Sequence, residues 1–432
     1  MDIFTNLGIG FAEAFTWTNL AFCFIGVLLG TLIGVLPGLG PAATIAMLLP
    51  ATFTFPPVTA LIMLAGIYYG AQYGGSTTAI LINIPGESSS IVTAIDGHQM
   101  AKKGRAGAAL ATAAIGSFFA GTVATIVIAL FAPPLAEVAL KFGPAEYFSL
   151  MVLGLIGAVV LASGSLLKAL GMVVFGLLLG LVGTDVNSGV QRFTLGIPEM
   201  ADGLGFVGIA MGMFGVAEIV RNLEDQRTRS IVAAKVGSLM PSREEFRRMI
   251  GPIGRGTVLG SLLGILPGGG ALLSAFASYS IEKKISKHPK EFGQGAIEGV
   301  AGPESANNAG AQTSFIPMLT LGIPSNPVMA LMIGAMIIQG ITPGPQVMTA
   351  KPELFWGLIA SMWLGNLMLV VLNLPLVGMW VRLLTVPYHF LFPAILVFCA
   401  IGSFSLNNLT FDVWLMAGFG VLGYVLAKLD CE

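Results

Sequence analysis

Charge is scarce in this sequence. Asp, Glu, Lys and Arg make up 10% of its 432 residues, against about 25% in a soluble domain. With 55% of the chain hydrophobic, a water-soluble fold would have nowhere to put its apolar surface. Cysteine is nearly missing. Cys23, Cys399 and Cys431 lie far apart and make neither a metal-ligand nor a disulfide spacing. His98, His288 and His389 are equally scattered. There is no nucleotide P-loop, HExxH or GxSxG motif, which argues against an ATP-driven pump. No paired nucleophile and base stand out, so an enzyme is not indicated. The first 16 residues hold Asp2 and Glu13 but no Lys or Arg, so the basic start of a signal peptide is lacking. A formal net charge of -1 suggests no nucleic-acid role.

What is present is a series of apolar runs near the ~20 residues that cross a bilayer as helix. They cover 20–36, 60–82, 107–131, 147–163, 167–183, 203–220, 315–340, 354–375, 390–405 and 411–427. The expected fold is an all-α polytopic membrane protein with about ten or more transmembrane segments, set in a lipid bilayer. A β-barrel would show shorter, alternating segments.

The few basic residues are clustered. Residues 221–255 hold eight Lys/Arg, 282–290 hold four and 102–105 hold three, which is 15 of the 21. Short Lys/Arg-rich loops stay cytoplasmic, so all three should face that side. The run 221–255 reads as a solvated topology determinant that can also meet anionic lipid. Only 26 residues separate Arg255 from Glu282, too few for two spans of about 20. A re-entrant hairpin fits, with a helix over about 256–266, a break at 267–270 and a helix back to about 281. A matching hairpin at 20–50 breaks at 37–40 and has no Lys or Arg on its flanks, which suits the outside.

The breaks belong to a repeated series. GVLPGLGP (34–41) returns as GILPGGGA (264–271), GAQ (70–72) as GAQ (310–312), and NIPGESSS (83–90) as GIPSNP (322–327), at offsets of 230, 240 and 239 residues. Matching order and near-constant offset point to internal duplication. The expected organisation is a first inverted repeat at 1–220, a basic cytoplasmic loop at 221–255 and a second inverted repeat at 256–432.

Paired broken helices at mid-membrane are where transporters of this design bind substrate and ions. A half-helix N-terminus offers free N–H groups and partial positive charge to an anion. The expected carboxylate-binding residues are Gly38, Gly40, Ser76, Thr77, Asn83, Gly86, Ser88, Gly268, Gly270, Thr313, Ser314, Ser325 and Asn326. Glycine lets a ligand approach the backbone, and hydroxyl and amide groups donate to carboxylate oxygens. Packing alone would also account for a single Gly/Pro break, and Ser or Thr can simply back-bond to its own helix. Acids at membrane depth are functional candidates, so Glu87 and Glu304, with Asn307 and Asn308, are the expected ion-coupling groups. Asp96 is expected to cap or to pair with Lys102, and His98 to sit in a solvated loop.

With both motif pairs in view, the sequence resembles the large membrane subunit of the bacterial tripartite tricarboxylate transporter family. The likeness is carried by GTLIGVLPGLGPAATIAMLLP (30–50), YGAQYGGSTTAILINIPGESSS (69–90), DGHQMAKKGRAG (96–107), GILPGGGA and GIPSNP. It runs along essentially the whole chain. The resemblance implies a multi-pass protein of the bacterial inner membrane, a small membrane subunit and a periplasmic solute-binding protein. It implies import of tricarboxylates or related carboxylates, driven by a proton or sodium gradient and needing no other cofactor. The family's large subunits usually run longer, so terminal helices of the second repeat are expected to be missing here. The alternatives are a gradient-independent anion channel and a non-transporting membrane scaffold.

Overall fold

The computed structural model describes residues 3–36, 40–161, 165–185, 188–224, 239–267, 270–383, 391–429 and 431. The first half runs α1 (Ile3–Ala14), α2 (Trp17–Val35), α3 (Pro41–Leu48), α4 (Pro57–Ile82), α5 (Ser90–Lys102), α6 (Ala106–Ala139), α7 (Pro144–Leu161), α8 (Leu166–Leu179), α9 (Phe206–Ala210) and α10 (Ala217–Glu224). The second runs α11 (Arg243–Leu263), α12 (Gly270–Ile285), α13 (Glu298–Thr313), α14 (Phe315–Leu321), α15 (Pro327–Ile338), α16 (Gln346–Ala350), α17 (Pro352–Asn373), α18 (Val377–Leu383), α19 (Leu391–Asn407) and α20 (Thr410–Lys428). Among the described residues four helices are long and apolar enough to cross a membrane: α2, α6, α17 and α20. At 1.5 Å per residue α6 is about 50 Å long, well beyond the ~30 Å hydrocarbon core.

The run 315–340 is interrupted where GIPSNP falls: α14 ends at Leu321 and α15 starts at Pro327. Other sequence expectations need correction. The hairpin arm expected over 256–266 belongs to a longer helix beginning at Arg243. There Ser242 and Glu245 form a reciprocal capping box, with bonds of 3.2 and 2.6 Å. Hydropathy passed over α5 and α13 because both are too polar. A short antiparallel ribbon, Gly183–Thr184 with Gln191–Arg192, departs from an all-α reading.

The core is built around two central helices, the largely apolar α4 and the polar α13. Residues 59–82 of α4 and every residue of α13 are buried. Each lies against a glycine-ridged neighbour. On α2, Gly26, Gly30 and Gly34 face Met63, Ile67 and Ala71 of α4. On α11 and at its C-cap, Gly256, Gly260 and Gly264 face Gly302, Ala306 and Gly310 of α13. At each of the six glycines a Cβ would overlap a backbone carbonyl of the facing helix. Removing Cβ at every fourth residue brings two backbones close enough for dispersion to hold them where lipid offers no hydrophobic drive. The outer helices exchange between halves: α6 packs on α13 and α11, while α17 packs on α4 and α2.

Ion pairs join the described parts of the basic segments to one another and to neighbouring acids. Arg105 pairs with Glu245. Arg248 grips Glu298 with two bonds of 2.8 Å and Glu291 with one of 2.6 Å. Arg255 binds Glu282 at 2.8 and 2.7 Å. Asp96 does not pair with Lys102. Its Oδ1 accepts from the N–H groups of Gly293, Gly295 and Ala296 at 2.7–2.9 Å, and its Oδ2 from Tyr279. Those acceptances tie α5 to the loop before α13. His98 is not a loop residue either. It is buried on α5, with Nδ1 3.0 Å from the Ile80 carbonyl.

Candidate functional site

Four interruptions shape the centre of the molecule, and each ends where a new helix begins. α2 gives way to α3, α4 to α5, α11 to α12 and α14 to α15. At the first, the carbonyls of Gly34 and Val35 accept from Thr78 Oγ1, at 3.3 and 2.9 Å. At the third, the Gly264 carbonyl accepts from Ser314 Oγ at 3.3 Å. The second and fourth share a backbone solution. Asn83 (φ 57°) closes α4 and Gly322 (φ 70°) closes α14, both left-handed. Asn and Gly tolerate that conformation, and the following Ile-Pro cannot continue the helix. Gly86 then passes so close to the Gly34 carbonyl that no side chain fits.

The breaks gather in pairs. α3 lies on α15, and α12 lies on α5, so the hairpin helix of each half meets the post-break helix of the other. Asn326 ties its corner together. Its Oδ1 caps α15 through Met329 N–H at 3.0 Å, while Nδ2 donates to Ser314 Oγ at 3.1 Å and Tyr68 Oη at 3.3 Å. Ser325 Oγ lies 3.5 Å from the Ser314 carbonyl. Gly270 sits beside Asn326, and its carbonyl accepts from Ser274 Oγ at 2.6 Å. Gly40 is the N-cap of α3.

Two buried carboxylates stand nearby. Glu87 accepts from the Ser89 hydroxyl and, at 2.9 Å, from the Ser89 N–H. Ser89 Oγ is also 2.8 Å from Gln72 Oε1. Glu304, on α13, receives Ser76 of α4 at 2.7 Å, Thr93 of α5, and Ser117 of α6 at 3.4 Å. Asn308 Nδ2 donates to Ser117 at 2.7 Å and to Asn307 Oδ1 at 2.6 Å. Among the described residues no Lys, Arg or His pairs with either acid. A cavity of about 10 Å³ opens beside Glu304.

The expected site residues therefore divide. Ser76, Glu304, Asn307 and Asn308 converge, as do Gly270, Ser314, Ser325 and Asn326. Thr77 and Thr313 turn back to their own helix carbonyls at 3.4 and 3.0 Å. Asn83 and Ser88 are exposed. Gly38 and Gly268 lie outside the described residues. Sequence reasoning missed Tyr68, Gln72, Ser89, Thr93 and Ser117. Gln72 was the most findable, because it belongs to the repeated GAQ.

The chain matches the Tripartite tricarboxylate transporter TctA family over residues 20–432. It belongs to the TctA family. TctA proteins are the large membrane subunits of tripartite tricarboxylate transporters, a transport family and not an enzyme family. The chain is 67% identical over all 432 residues to the 52.8 kDa protein of the TAR-I ttuC' 3'region of Agrobacterium vitis, covering 86% of that protein. It is 68% identical over 173 residues to a protein of the TAR-II ttuC' 3'region of the same organism, which is 40% of this chain and 72% of that one. No solved structure matches. Membership accounts for the multi-pass helical build and makes the broken helices the natural place to seek the translocation site.

Proposed function

We propose that this TctA subunit imports tricarboxylates or related carboxylates across the bacterial inner membrane. It takes them from a periplasmic solute-binding protein, works beside a small membrane subunit, and is driven by a proton or sodium gradient. The observation that carries this reading is the pairing of breaks within each half, Gly86 against the Gly34 carbonyl and Gly270 beside Asn326, together with the crossing of helices between halves, α3 on α15 and α12 on α5. Each break ends at a helix start, and N–H groups and helix dipoles at such starts supply the positive potential a carboxylate needs. The parallel glycine ridges of α2 and α11 support an inverted duplication of 1–220 in 256–432.

In this reading Gly40 and Gly270 give the carboxylates backbone access, joined by Gly38 and Gly268, while Ser314, Ser325 and Asn326 donate to them, and Gly86 serves the close packing of the break on Gly34. Glu87 and Glu304 hold the coupling ion. Ser76, Thr93 and Ser117 reach Glu304 from the first half, so occupancy there is sensitive to how the halves sit. Cation and carboxylate then favour each other's binding through charge, and one half moves against the other to release both inside.

The test is uptake of labelled citrate and a dicarboxylate panel by cells carrying this chain with its binding protein and small subunit. Uptake should vanish without the binding protein and collapse with an ionophore. Uptake that survives both would favour an anion channel, and none at all from correctly inserted protein would favour a scaffold.

A further inference from the structure

The cavity beside Glu304 has several side-chain oxygens in its wall and, among the described residues, no Lys or Arg. Its wall includes Ser76, Thr77, Ser117, Glu304 and Asn373. Asn373, the last residue of α17, is 5% exposed. Its Nδ2 donates to the Leu369 carbonyl at 3.0 Å and to Thr31 Oγ1 at 3.4 Å. Those two donations set the orientation of the amide. They leave Oδ1 buried with no hydrogen-bond partner. The nearby Tyr73 hydroxyl cannot serve it, being committed to Asn366 Oδ1 at 2.7 Å. Glu304 is 0% exposed. A buried orphan acceptor is costly, and a buried carboxylate without a counter-charge is costlier.

The hydroxyls around the cavity can act as donors or as ligands. Ser76 has one proton and two acceptors in reach, the Gln72 carbonyl at 2.9 Å and Glu304 at 2.7 Å. Turned to Gln72, it presents lone pairs to the cavity. Thr77 already directs its proton to the Tyr73 carbonyl. Ser117 accepts from Asn308 and keeps a lone pair over.

We infer that this cavity is a sodium site, with Glu304, Asn373 Oδ1 and the hydroxyls of Ser76, Thr77 and Ser117 as its oxygen ligands. The inference rests on the transport reading for its purpose, but not for its geometry. An all-oxygen set suits a hard cation, and a single carboxylate balances one positive charge. A space of about 10 Å³ holds one water-sized particle and excludes a hydrated ion. The ligands come from α4, α6, α13 and α17, so a bound ion fastens the exchanged helices α6 and α17 to the two central ones.

Purified protein is heated while Na⁺ replaces K⁺ or choline at constant ionic strength, and unfolding is followed by the fluorescence of its five tryptophans. The melting temperature should rise saturably with Na⁺ and ignore the other two. Asn373→Ala should raise the half-saturating Na⁺ concentration by about tenfold or more. Asn373→Asp restores an oxygen in place and should keep the response. Glu304→Gln should abolish it, and the Asn373 pair decides the matter if that variant does not fold. A wild-type protein indifferent to Na⁺, or an Asn373→Ala response equal to wild type, overturns the site. A protein that imports carboxylate without sensing Na⁺ loses the site and keeps the transport reading. A sodium-stabilised protein that imports nothing does the reverse.

Discussion

Ser76 on α4 donates a 2.7 Å hydrogen bond to Glu304 on α13, joining the two central helices across 228 residues of sequence. Both groups are buried. The bond sits where each half's central helix meets the other's, so whatever changes the charge of Glu304 is felt in both halves.

The glycine ridges give the most direct structural prediction. Gly34→Val and Gly264→Val put side chains into the carbonyls of Ala71 and Gly310. Each should destabilise the protein by about 1–3 kcal/mol or more, as overpacking does. Gly171→Val is the control, because nothing lies within 4 Å of its Cβ position. Fluorescence-detected size exclusion after a heating series should show early loss of the first two variants only.

Asn326 combines two jobs that substitution can separate. Asn326→Ala removes the cap of α15 and should cost about 1 kcal/mol. Asn326→Asp keeps the capping oxygen but loses the donations to Ser314 and Tyr68. The Asp variant should fold with near wild-type stability yet show a raised KM for uptake, because a new negative charge faces the substrate. Equal KM in the two proteins would remove Asn326 from the site.

Asp96 holds the loop ahead of α13 through three backbone N–H groups. Asp96→Ala strands those donors, at about 1–3 kcal/mol for each one left buried. Hydrogen–deuterium exchange over residues 293–296 should accelerate sharply, while exchange in α2 and α4 stays slow.

The ion-pair knot has a readable pH dependence. Arg248, through its hydrogen bond and its charge, holds the Glu291 carboxyl below its ordinary value. A depressed carboxyl contributes its stability in full above the unfolded value of about 4.3. That contribution is lost as pH falls through the lower folded value. The melting-temperature gap between wild type and Glu291→Gln should therefore be flat at neutral pH and close in acid. It should be small throughout, because the pair is half-exposed and such pairs are worth at most about 1 kcal/mol.

How much of this was legible varies with the physics behind each feature. α2, α6, α17 and α20 stand out because they are continuous apolar runs. The breaks are readable because Pro and several Gly fall together there, at 37–40 and 267–270. α13 was invisible to hydropathy: it carries Glu298, Glu304, Asn307, Asn308 and Gln312, and only packing on all sides explains a buried helix of that composition. Its membership of the centre was nonetheless hinted by the GAQ it shares with α4. The glycine ridges were present as Gly at every fourth position, but which helix they face is a tertiary fact. The partners of Glu304 lie up to 228 residues away, and no local pattern links a lone Thr93 or Ser117 to it. Asp96 was misjudged because its partners are backbone N–H groups, which leave no trace in side-chain spacing.

The most direct test of the coupling account is Glu304→Gln in proteoliposomes holding the small subunit and supplied with the binding protein. Gln keeps the size of the side chain and removes its charge. Exchange of labelled for unlabelled carboxylate should persist, because it needs the substrate site alone, while gradient-driven accumulation should fall to the equilibrium level. Full accumulation by Glu304→Gln would contradict the account and move the coupling ion elsewhere.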